Sequence, residues 1–422
     1  PSLDMCALRQ FFAFDYMLGN RTWWKGISLL PPSSQCTVSR GGTTIERYWT
    51  FDAIERKPLP VDEVLQRWRR LWSQAVSRYS KPGVTPFLLS GGLDSRCLLA
   101  ELRLQGREVV AFTWGMKGCS DLRIAARVAR MAGVLHRPLV MDENNWWNGR
   151  EEAIWQIDGM VNCLHLQACT GLHDQRMGNR WSPMNMAGDL LFGGSYLSRP
   201  VMDSGWRDVP SELMRNKYLP NPLVSREDAL AESLPDIRLY VEGPSTDCFY
   251  LLQRVRRFTN NGPLVLSAFS TPSYPSLSND LLALMLGGCD DAQRSAAALY
   301  KRFLLDNYPL YYRDVPWQAT GRGFEEHGLT AMWRDAARHI RPHVPVRCGG
   351  WRLRRALDWA MHQPVDHEGL LRRSSVIPDH LKSKLLADDV LHGKARAWVT
   401  DESGRVDVGT KLRILTFEIY LR

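Results

Sequence analysis

The chain has 422 residues, 44% hydrophobic and 23% charged, the balance of a globular protein with material for one large core or two ordinary ones. No apolar run could span a bilayer and the first residues do not read as a signal peptide, although residue 1 is Pro rather than Met, so the true start of the gene product is expected to be missing. The formal charge of +9 comes mostly from arginines spread along the chain; it suits anionic ligands, but no arginine block with interleaved aromatics marks a nucleic-acid stripe.

Residues 1–57 predict a short helix, a turn at Gly19-Asn20, a Pro-Pro corner and strand-like stretches around Gly41-Gly42. Alone they are too short to bury a core, so they read as the tail of another domain or a clasp on the next, which spans 58–422. From Val61 a helix is predicted with Val64, Leu65, Trp68, Leu71, Trp72 and Val76 on one face, stopped by Pro82-Gly83. The run "VTPFLLS" predicts a buried strand, and "DSRCLLAELRLQG" a helix closed by Gly106. A second strand, "REVVAFTWG", precedes a second helix, "SDLRIAARVARMAG", with Ser120 as its N-cap and Gly133 as its stop. "HRPLVM" is a third strand. This alternation is the signature of an α/β fold, a parallel sheet flanked by helices. "RWSPMNMAGDLLFGGSYL" predicts a further strand ending in a glycine-rich turn, and beyond residue 240 the pattern is mainly helical. Nine widely spaced cysteines without a C-x-x-C argue against a disulfide framework or a zinc ribbon, and for a reducing, cytoplasmic compartment.

The chemistry concentrates at Ser90-Gly91-Gly92-Leu93-Asp94-Ser95, between a predicted strand and helix. Ligands of open parallel sheets bind beyond the carboxyl ends of the strands. The two glycines allow close backbone approach and dihedrals closed to other residues. Consecutive amides and a helix N-terminus attract anions, and Ser90 and Ser95 add hydroxyls. Asp94 would repel phosphate unless a Mg2+ lies between them, since magnesium favours one or two carboxylates with phosphate oxygens and water. The loop therefore points to ATP with Mg2+. The common G-x-x-x-x-G-K-[ST] pattern is absent.

"SGGLDSR" after a strand resembles the pyrophosphate loop of the N-type ATP pyrophosphatases, whose fold is adenine nucleotide α-hydrolase-like. The resemblance implies cleavage of ATP between its α- and β-phosphates. "AGDLLFGG", residues 187–194, looks like the second magnesium motif of the asparagine synthetase and β-lactam synthetase group, with Asp189 as second carboxylate beside Gly188. "FTWG" resembles that group's adenine-contacting strand, with backbone groups near Phe112 and Thr113 meeting the base and Asp121 as the acid of the following helix start. "MLGNRTWWKGISLLPP" resembles the last segment of a glutaminase-like domain, and "LRILTFEIYLR" the family's C-terminal helix.

Two departures shape the functional expectation. No N-terminal Cys nucleophile is present, and Cys6 lies inside the tail-like segment, so release of ammonia from glutamine is not expected. Met186 occupies the position, three residues before Asp189, where related enzymes place a Glu or Tyr that handles the amine, and methionine cannot act as a base. Glu151, Glu152, Asp158 and His165 are the nearby alternatives, and Lys301 is a candidate for the pyrophosphate or the developing oxyanion. The resemblance implies an amide-forming ligase acting on a small molecule or peptide that carries a carboxylate and an amine, with lactam or macrolactam closure preferred. The alternatives are an ammonia-using amidotransferase, a tRNA-modifying pyrophosphatase, and a non-catalytic nucleotide-binding partner subunit. A partner protein or separate nitrogen source fits the missing glutaminase.

Overall fold

The computed structural model describes residues 2–167, 169, 180–183, 188–194, 196–197, 224–240, 246–268, 270–325, 366–380, 385–391, 393–401, 403 and 406–422. Its centre is a parallel sheet in the order β3-β4-β5, with β3 Thr85–Leu88, β4 Val109–Met116 and β5 Leu135–Met141. The register sets Leu88 against Phe112 and Thr113 against Pro138. Helix α3, Leu93–Leu104, links β3 to β4, and α4, Ser120–Ala132, links β4 to β5. A second parallel pair, β6 Arg180–Pro183 with β7 Ser270–Ser273, lies against β3.

Both faces of the sheet are covered, which parallel sheets require. Along β4 the side chains alternate: Val109 and Ala111 enter one core, while Trp114 and Met116 pack against the other. The first core gathers α2, Val61–Tyr79, with the sheet and the helices around residue 300. Val64, Leu65, Trp68, Trp72 and Val76 are buried as the periodicity predicts; Leu71 is only half-buried. The ring of Trp68 stacks on Phe303 with centroids 3.9 Å apart. Gly106 and Gly133 take the left-handed conformation at φ +68° and +63° and end α3 and α4 as expected. The α4 cap differs from expectation: Cys119 is the N-cap, without a side-chain bond, and Ser120 is the first helical residue.

The second core joins the two extremities of the chain. Helix α1, Met5–Phe14, buries Ala7, Leu8, Phe11 and Phe12 against the last helix, Val408–Leu421, which is buried nearly all round. The tail-like N-terminal segment thus contributes a helix to this core. Asp15 takes φ +69° at the end of α1 and receives bonds from Arg413 Nε (2.6 Å), Asn162 Nδ2 (2.9 Å) and His165 Nε2 (3.1 Å). Burial alone would raise the Asp15 carboxyl; the bond from His165 and the charge of Arg413 outweigh it and bring it down to about 2. The predicted strand-like stretches form an antiparallel hairpin, β1 Ser34–Ser39 with β2 Gly42–Arg47, which stays exposed along nearly its whole length.

Candidate active site

β3 hands the chain to the loop through Leu89, whose amide donates to the Phe112 carbonyl (2.8 Å). The next three amides are all taken within the site. Ser90 N–H donates to Ser95 Oγ (3.1 Å), Gly91 N–H to Asp121 Oδ1 (2.7 Å) and Gly92 N–H to Ser90 Oγ (3.1 Å). The two serine hydroxyls share a bond of 3.0 Å. Asp121 reaches across from the first turn of α4, so the Gly91 amide already holds an anionic oxygen.

The glycines are needed for space rather than for unusual dihedrals. Neither is among the positive-φ residues, and Gly92 sits at φ −75°, ψ 175°, open to any residue. A Cβ on Gly91 would lie 3.2 Å from each of Asp121 Oδ1, Gln318 Oε1 and Ile124 Cδ1. A Cβ on Gly92 would lie 3.1 Å from Ser90 Oγ. Gly92 caps α3 without a side-chain bond, so no side chain closes off the positive end of the helix.

Asp94 stands in the first turn of α3, and its Oδ1 accepts from the Tyr300 hydroxyl at 2.6 Å. Tyr300 is 1% exposed and lies on helix α9, Ala298–Asn307. Its ring packs on Trp68 and on Phe192, with centroids 5.9 Å and 5.8 Å away. Burial, reinforced by the Asp94 charge, pushes the Tyr300 hydroxyl well above its ordinary range, so it stays a donor.

Phe192 belongs to the second motif. The short helix Gly188–Leu191, which carries Asp189, touches α3. The two predicted acids therefore stand on neighbouring elements, joined by the Phe192–Tyr300 contact. The Asp189 side chain and Met186 lie outside the described residues. Behind this turn, the buried Arg294 grips Asp247 with two bonds of 2.7 Å and donates to the Leu191 carbonyl (3.5 Å). Gly194, at φ +51°, passes so close that a Cβ would lie 3.0 Å from the Arg294 carbonyl oxygen.

The remaining candidates are placed as follows. Phe112 and Thr113 are buried in β4. The Thr113 hydroxyl donates to the Leu89 carbonyl (2.7 Å), so the His136 Nε2 beside it (2.9 Å) must be protonated and donate to Thr113. Lys301 follows Tyr300 on α9, half-exposed and turned to a different side of the helix. His165 is committed to Asp15 in the second core. Glu151 accepts from Trp147 Nε1 (3.0 Å), Glu152 is exposed, and Asp158 gives its carbonyl to Trp23. Cys6 lies half-buried on α1, where burial pushes its thiol up to about 11.

Sequence reasoning missed three participants. Arg96, fully buried, donates to the carbonyls of Gly91 (3.0 Å), Pro316 (2.8 Å), Tyr311 (3.0 Å) and Val315 (3.3 Å). It ties the loop to a segment more than two hundred residues later. Gln318, on that segment, donates its amide N–H to Gly91 O (3.3 Å). Tyr300 is the third. Arg96 was visible as the residue ending "SGGLDSR", but nothing local in the sequence announces its partners.

Residues 67–248 match the model of the asparagine synthase family, a span holding both glycine-acid motifs. Over these residues the chain is similar to an asparagine synthase-type synthetase domain. Such domains belong to ATP-dependent amide-bond ligases that act on carboxylates and amines, usually with Mg2+. No curated protein matches the chain significantly. Among the described residues, no cluster of three His, Cys, Asp or Glu side chains forms a metal cage. A synthetase magnesium site needs fewer, because phosphate oxygens and water complete the shell. No described helix is long and apolar enough to cross a membrane.

Proposed function

We propose that the protein adenylates a substrate carboxylate with ATP, releases pyrophosphate, and transfers the acyl group to an amine. The substrate is a small molecule or peptide, and the amine is preferably on the same molecule, so that the product is a lactam or macrolactam. The observation that carries this reading is the strand–SGGLDS–helix corner, with a helix N-terminus that no side chain caps, two glycines that bring no side chain of their own, and Asp94 standing beside the element that bears Asp189. The residues at the corner fit a magnesium–triphosphate group. Asp94 and Asp189 would hold the ion, which would neutralise the phosphates. The N-terminal turn of α3 would take phosphate oxygens, and the Ser90–Ser95 hydroxyl pair could turn toward them. The protein's own contribution is to fix the α-phosphorus in line with the carboxylate and to keep the acyl-adenylate from water.

Met186 favours a second reading, a nucleotide-binding subunit that works with a separate catalytic or nitrogen-supplying partner. A third, synthesis of a primary amide from ammonia, shares the first half-reaction. Pyrophosphate release from ATP with candidate carboxylates separates them, with and without Mg2+, for the native protein and Asp94→Ala. The expected outcome is magnesium-dependent release of AMP and pyrophosphate that falls by about a hundredfold or more in Asp94→Ala. Bound ATP with no cleavage for any carboxylate would overturn the ligase reading in favour of the binding subunit. Stimulation by ammonium alone would favour primary-amide synthesis.

A further inference from the structure

The segment 315–322 closes over the phosphate loop from the far side of the sequence. Four bonds hold it there: Gln318 N–H to Gly91 O, and the Arg96 guanidinium to Gly91 O, Val315 O and Pro316 O. The Gln318 side chain then lies across both glycines. Its Oε1 is 3.2 Å from the point where a Gly91 side chain would begin, and its Nε2 is 3.9 Å from the equivalent point at Gly92. Oε1 is buried and has no hydrogen-bond partner among the described residues. A buried polar atom left unpaired costs about 1–3 kcal/mol, and native structures keep few of them.

The rest of the loop explains why this side chain matters. The amides of Ser90, Gly91 and Gly92 are already bound to Ser95, Asp121 and Ser90. Among the described residues, the donors that remain for a polyphosphate are the first N–H groups of α3, the Ser90–Ser95 hydroxyls and the side chain that roofs the glycines. Gln318 is that roof. The terminal torsion of glutamine is broad and roughly two-fold, so a half-turn brings Nε2 to the place now held by Oε1 at little cost.

We infer that Gln318 contacts the pyrophosphate portion of ATP, its carboxamide donating to the β- or γ-phosphoryl oxygens, and that it holds free pyrophosphate in the same way. The inference rests on the ATP-cleaving reading above. A neutral amide gives this wall direction without adding positive charge, so pyrophosphate is oriented there but not trapped.

The test is calorimetric titration of the full chain with Mg2+-pyrophosphate, Mg2+-ATP and AMP, for native protein, Gln318→Ala and Gln318→Glu. AMP carries the adenosine and α-phosphate but neither outer phosphate. Gln318→Glu should weaken pyrophosphate and ATP binding about tenfold or more through like-charge repulsion, and Gln318→Ala several-fold, with AMP affinity unchanged in both. Gln318→Ala removes an unpaired polar atom, so its ligand-free melting midpoint should not fall. Unchanged pyrophosphate affinity in both variants, or an equal loss for AMP, would overturn the inference while leaving the ATP-cleaving reading intact. Native protein that binds neither ATP nor pyrophosphate would overturn that reading and the inference with it.

Discussion

At the scale of single residues, the bond between Tyr300 and Asp94 asks for explanation first. A neutral hydroxyl, buried among Trp68, Phe192 and Phe303, fixes one carboxylate oxygen of the acid expected to meet magnesium. Partners of this kind set the orientation of metal-binding carboxylates. Tyr300→Phe keeps the ring and its packing but removes this bond to the carboxylate. The Mg2+ concentration needed for half-maximal ATP binding should rise about tenfold, measured by magnesium titration at fixed ATP, with little change in melting midpoint. An unchanged titration would reduce Tyr300 to a packing residue. Asp94 itself was legible in the sequence, because an acid in a phosphate loop demands a compensating cation. Tyr300, Arg96 and Gln318 were not, since a residue two hundred positions away gives no local periodicity or turn signal. The glycines differ from expectation in one respect: neither takes the special dihedrals, and what crowds Gly91 in the structure is the side chains of Asp121, Gln318 and Ile124.

Among the elements, the corner at Gly188–Leu191 is a single turn and cannot hold its place by its own hydrogen bonds. It is fixed from outside, by the Arg294–Asp247 pair beneath it and by Phe192 packed on Trp68 at 4.7 Å. Asp247→Ala would leave the buried Arg294 guanidinium with Asp291, at 3.0 Å, as its remaining acidic partner among the described residues. Chemical denaturation should show a loss of about 3–5 kcal/mol. A loss below about 1 kcal/mol would mean that the pair does not anchor the turn. The strands and helices of the sheet were readable because hydrophobic alternation, helical period and stop glycines agree there. The capping residue of α4 was misplaced by one position. Ser120 fits the N-cap preference, yet the β4–α4 connection enters the helix one residue earlier, at Cys119.

Over the whole molecule, two cores lie on opposite faces of one sheet, and the second is closed by the clasp of Asp15 with Arg413, Asn162 and His165. The Asp15 carboxyl ionises at about 2 in the folded chain against an ordinary value of 3.8. A lowered carboxyl stabilises the fold above the ordinary value, and that stability is lost as pH falls toward the lowered one. The clasp should therefore contribute about 2 kcal/mol at neutral pH, disappearing between about pH 4 and pH 2. Melting midpoints across that window should fall less steeply for Asp15→Asn than for the native protein. The class of fold could be read from strand and helix alternation, but the pairing of α1 with the last helix could not, since no pattern in either names its partner. That pairing also sets an order of events during synthesis. The apolar face of α1 leaves the ribosome well before the helix packed on it, Val408–Leu421, which lies at the far end of the second core's sequence span. At about 5–20 residues per second, the nascent chain carries this face without its final partner for roughly twenty seconds to over a minute. Until Val408–Leu421 emerges, the second core depends on temporary cover, from a chaperone or from non-native contacts within the growing chain.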